Sequence, residues 1–139
     1  MKITFYPPCH YCEHFNIDKE IIKMEDLITR KMKSRQYGPV LETIDFIPII
    51  APKEELTDGA WEEDVMFSRL IGRVSVYKRI DYDKYINGTI ETRKKLIVKC
   101  ILESIVMIKA RKTTKFDMKK FKKDLFEIIE YSEEEIINI

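Results

Sequence analysis

The run Leu96-Ile-Val-Lys-Cys-Ile-Leu-Glu-Ser-Ile-Val-Met-Ile108 is apolar except at Lys99, Glu103 and Ser104. A surface helix carries one apolar stripe and one polar face. Here Ile97, Ile101, Ile105 and Ile108 set a stripe at helical spacing, and Leu96, Cys100, Val106 and Met107 widen it. A helix apolar over so much of its circumference has to be covered on more than one side. It is too short and too interrupted to span a bilayer, which takes about 20 mainly apolar residues. It reads as the central helix of a folded core, from about Thr89 to Arg111, with a sheet on one side and another helix on the other.

Working outward, Arg73-Val-Ser-Val-Tyr-Lys-Arg-Ile80 alternates with period two, Val74, Val76, Lys78 and Ile80 against Arg73, Ser75, Tyr77 and Arg79. Such alternation predicts a half-buried strand. With the weaker strand Glu62–Arg69 before Gly72 it suggests an antiparallel hairpin with one polar face. Thr43–Ile50 is a further strand, and Pro48 removes one ladder donor, so it is expected at an edge or to end there. Lys2–Tyr6 is a short first strand closed by Pro7-Pro8. Between them, Ile17, Ile21, Met24, Ile28 and Met32 mark a helix capped at Asp18 and running to about Gln36, before Tyr37-Gly38-Pro39. Asp81–Tyr85 forms a turn or short helix, and Asp117 caps a last helix with Phe121, Leu125 and Ile128 inward. The tail Glu133–Ile139 is unassigned. The expected fold is α+β: a two-layer sandwich with a mainly antiparallel sheet of about four strands and three helices on one face.

A chain of 139 residues is one domain, 1–139, by ordinary size limits. Its 25 basic and 24 acidic residues nearly cancel, which argues against nucleic acid as partner, because counterion release needs a net basic face. The three cysteines make no disulfide framework, and no secretory signal is read at the start, so a reducing cytoplasm and no membrane are expected.

Two features carry chemistry. Cys9-His-Tyr-Cys-Glu-His14 places a C-x-x-C after a first strand and before a helix. A helix N-terminus there would stabilise one thiolate, as in thioredoxin-like enzymes. Ile3–Cys12 resembles a glutaredoxin opening, but the order of elements downstream does not follow that fold. The same residues could form half of a zinc site, although no second ligand pair follows. The alternative is a loop with free thiols. The second feature is Glu54, Glu55, Asp58, Glu62, Glu63 and Asp64 around Trp61, the single tryptophan. Tryptophan among charges is a common interface anchor, and carboxylates suit a basic partner. The alternative is a Trp capping the hairpin core beside solvated carboxylates. Arg69, Arg73, Lys78, Arg79 and Lys84, interleaved with Tyr77, Tyr82 and Tyr85, could form a nucleic-acid surface or simply the open face and end of a hairpin. No serine–histidine–acid set, phosphate loop or paired-histidine motif is present.

Several phrases resemble a bacterial immunity family, number forty-four among polymorphic-toxin immunity proteins. They are Tyr37-Gly38, Ile44-Asp-Phe-Ile-Pro-Ile-Ile50, Lys78-Arg-Ile-Asp-Tyr82, Arg93-Lys-Lys-Leu through Ile101-Leu-Glu-Ser-Ile105, and Phe116-Asp117 through Phe121 to Asp124-Leu125. The likeness spans about residues 18–130 and leaves the cysteine-rich opening outside. It implies a cytoplasmic protein without catalysis or cofactor that binds and neutralises the C-terminal domain of a cognate toxin. It supplies no binding residues and no oligomeric state. The residues expected at the partner surface are therefore those of the acidic segment: Glu54, Glu55, Trp61, Glu62, Glu63 and Asp64. The runner-up is a thiol-disulfide oxidoreductase using Cys9 and Cys12.

Overall fold

The computed structural model describes residues 1–6, 18–52, 62–68, 72–111 and 115–139. Their elements run β1 (Lys2–Phe5), α1 (Lys19–Met32), β2 (Thr43–Ile49), β3 (Asp64–Ser68), β4 (Arg73–Arg79), α2 (Tyr82–Asn87), α3 (Ile90–Ala110), α4 (Met118–Ile128) and α5 (Glu133–Ile137). The caps are chemical. Thr89, Asp117 and Ser132 each accept a backbone N–H of the helix they open, and Ser132 completes a capping box with Glu135. Asp81 does the same for α2, turning Asp81–Tyr85 into a short helix.

The four strands lie in the order β1-β2-β4-β3. β1 pairs parallel with β2, β2 parallel with β4, and only β3 and β4 are antiparallel. The sheet is mixed, not mainly antiparallel, and the described residues form five helices where three were expected. The reason lies in connectivity: a helix between β1 and β2 returns the chain to the same end, which makes the pair parallel. The antiparallel hairpin β3–β4 forms as expected, with β4 inside the sheet and β3 at its edge.

Pro48 also behaves differently from expectation, since β2 is an interior strand. Tyr6 N–H donates to the Phe46 carbonyl (3.0 Å). The next bond of that parallel ladder would need an N–H at residue 48. Proline has none, so the β1–β2 ladder stops while β2 continues along β4 through Ile49. Gly72, at φ 59°, turns the chain into β4, and a Cβ there would lie 2.3 Å from the Val40 carbonyl oxygen.

One hydrophobic core joins Ile3, Ile44, Phe46, Val74 and Val76 of the sheet to the buried faces of α1, α3 and α4. α3 touches β2, β4 and each of the other four helices, as its wide apolar surface requires. Its buried set is Lys94, Leu96, Ile97, Val98, Cys100, Ile101, Ser104, Ile105 and Ile108. Val106 is instead exposed, so the stripe is narrower at its C-terminal end than its composition suggests. α1 stops at Met32, short of Gln36, because Tyr37 is needed inside. Its ring stacks edge-on against Phe121 at 4.9 Å, and its hydroxyl donates to Asp124 (2.7 Å), which also pairs with Arg35 (3.0 Å). That network fastens the α1–β2 connection to α4.

Candidate partner-binding surface

β3 forms one edge of the sheet, and the acidic residues that precede it enter the structure at Glu62. Glu63 falls opposite Lys78, one position beyond the Asp64–Tyr77 pair. Its carboxylate accepts from the Lys78 ammonium at 2.6 Å, and Glu103 of α3 holds the same ammonium at 2.9 Å. Burial would lower the Lys78 pKa, but the two carboxylates outweigh it and hold it above its ordinary value. Glu63 therefore pins the start of β3 to α3.

Asp64 pairs with Arg111 at 3.0 Å and accepts the Val65 N–H at 2.8 Å. Both members of that ion pair are more than half exposed, so it contributes little to stability. The carboxylate occupies an edge amide that would otherwise be open to another strand. Glu62 is exposed and has no ion-pair partner among the described residues. The acidic segment thus divides into a structural member, Glu63, and two outward ones, Glu62 and Asp64. Glu54, Glu55, Asp58 and Trp61 lie outside the described residues.

Of the basic and tyrosine residues of the hairpin region, Arg69 lies outside the described residues, and three of the others are engaged in internal contacts. Lys78 is enclosed by carboxylates, Arg73 is held by Asp45, and Tyr85 is buried with the Arg93 guanidinium 5.3 Å from its ring centre. A nucleic-acid face needs free cations side by side; Lys78 is consumed by its two carboxylates, and Arg73 keeps only part of its guanidinium open.

Cys9, His10, Cys12 and His14 lie outside the described residues. The described cysteine, Cys100, is buried beside Ser104, and burial pushes its thiol up to about 12. A thiol so raised stays protonated at neutral pH, which makes it a poor nucleophile. No described helix is long and apolar enough to cross a membrane.

A family model described as Immunity protein 44 matches residues 1–131. The chain belongs to the immunity protein 44 family. The match covers the whole sheet, α1 through α4 and the turn after them, and leaves out α5. It begins at Met1 and so takes in the cysteine-rich opening, which the likeness of individual phrases had left outside. No curated protein and no solved structure matches the chain. Among the described residues every buried side-chain nitrogen and oxygen has a hydrogen-bond partner.

Proposed function

We propose that this immunity protein acts by binding, as a non-enzymatic cytoplasmic inhibitor that blocks the C-terminal domain of a cognate toxin. The observation that carries the reading is the family match over residues 1–131. The acidic segment is the proposed contact: Glu54, Glu55, Trp61, Glu62, Glu63 and Asp64. Its C-terminal end is anchored, because Glu63 is tied to Lys78 and through it to Glu103. Glu62 and Asp64 then present carboxylates from a rigid edge. Carboxylates beside an aromatic anchor suit a basic cleft of the kind that holds a nucleic-acid substrate, where they steer association and the aromatic supplies desolvated contact.

The test is the rate of association and dissociation with the purified toxin domain encoded beside this gene, at two ionic strengths. Trp61→Ala should weaken binding by about 2 kcal/mol or more, the hot-spot threshold. Glu62→Lys should mainly slow association, and more so at low salt. Glu63 is the poorer probe, since its reversal also breaks the Lys78 node. Wild-type chain that binds no such domain would overturn the function. Unchanged rates in a folded Trp61→Ala variant would remove the acidic segment from the contact.

A further inference from the structure

The sheet has a second face, turned away from the core, and its centre is built with unusual care. Asp45 points there yet is only 1% exposed. Arg73 takes both of its oxygens, Nε to Oδ2 at 2.5 Å and Nη2 to Oδ1 at 3.1 Å, and the Ser75 hydroxyl adds a bond at 2.9 Å. A buried carboxylate is strongly unfavourable unless paired this completely. Nη2 also donates to the Tyr6 hydroxyl at 2.9 Å, so the guanidinium, carried by β4, is fixed by Asp45 of β2 and by the residue that follows β1. Its Nη1 donors have no acceptor among the described residues, and 40% of the side chain remains open to water.

We infer that this face is a second part of the toxin contact, with Arg73 as its anchor, and that it receives a protein surface presenting a carboxylate beside apolar side chains. The inference rests on the toxin-blocking reading and adds to it the surface and the chemistry of what lies on it.

Arg73 is already ordered, so little side-chain freedom is lost when a partner takes its remaining donors. Its surroundings are of the types enriched at interfaces: Tyr6 is 39% and Met66 57% exposed, and Tyr77 is half-buried. The charge on the face is graded. Across the register, Lys2 stands in the same row as Arg73, exposed and without a carboxylate among the described residues. Asp45 cancels one charge of that row, which leaves it positive. At the other end Asp64, beside Tyr77, is already paired with Arg111, and Glu62 falls in register opposite the exposed Arg79, so that end is close to neutral. A partner must therefore place an acid over the Lys2–Arg73 row and apolar groups over Tyr77 and Met66. A polyanion such as RNA needs a run of cations, whereas the positive charge here is confined to one row beside apolar side chains, so the face suits protein.

Arg73→Ala is a poor probe, since it strands Asp45. The test uses the exposed double variant Lys2→Glu/Met66→Asp, with Val106→Asp on the outer side of α3 as control, each checked for folding by circular dichroism. Dissociation constants are measured against the toxin domain, and mass by sedimentation. The double variant should bind at least about 30-fold more weakly, a hot-spot effect, with the control close to wild type. A folded double variant with wild-type affinity overturns the inference while leaving the toxin-blocking function standing. Wild-type chain that binds no toxin domain overturns both. A wild-type dimer that the double variant dissolves assigns the face to a second copy, which also overturns it.

Discussion

Glu25 lies half-buried on α1 between Ile21 and Ile28. Burial, with the neighbouring Asp26 charge, pushes its carboxyl from 4.5 up to about 7. A carboxyl whose pKa is higher in the folded chain holds its proton more tightly there than when unfolded. Its contribution to stability is fully present below about 4.5 and is lost as pH rises to about 7. The gap corresponds to about 3 kcal/mol at 1.36 kcal/mol per pH unit, and residual solvent contact reduces the expected effect to about 1–3 kcal/mol. Glu25→Gln keeps the shape and removes the charge. The variant should match wild type near pH 4.5 and exceed it by about 1–3 kcal/mol near pH 8, where the wild-type carboxylate is ionised at full cost. Urea denaturation followed by circular dichroism across that range measures both, and the difference between the two proteins cancels the titration of every other group. Parallel curves would refute the burial argument. A variant less stable at high pH would show that the carboxylate is engaged by a partner instead.

Two further outcomes test the architecture. Ile101→Ala and Ile105→Ala, each 1% exposed on the central helix, should each cost about 2–5 kcal/mol in denaturant melts, and unchanged melts would mean that α3 is misplaced. Gly72→Ala should cost about 1–3 kcal/mol from its positive φ alone, before the clash with the Val40 carbonyl, and thermal unfolding at wild-type temperature would refute that turn.

Local chemistry made much of this molecule readable in the chain. The period of Leu96–Ile108 implied a helix covered on several sides, and α3 touches two strands and four helices. The alternation of Arg73–Ile80 separated Val74 and Val76 from Arg73, Ser75 and Tyr77, and those sets do face opposite ways. Thr89 and Asp117 announced helix starts, because a cap acts on backbone only a few residues away. Phrases in strands and helices also carried the family likeness, since the positions that must pack are the ones a family keeps recognisable.

What could not be read is pairing across long separations. Periodicity says that a strand is half-buried but not which strand lies beside it or in which direction, so the parallel β1-β2-β4 arrangement came only from the fold. Ile44-Asp45-Phe46 did show a charge inside an apolar strand. Its partner, 28 residues away, became visible only when β2 and β4 paired in register and set Arg73 against it. The same holds for Glu63, which looked like one carboxylate among several until the hairpin placed it over Lys78 and α3 brought Glu103 to the other side. Spacing along the chain determines which face a residue joins; the docking of strands on helices decides which charges on that face are consumed inside and which are left for a partner.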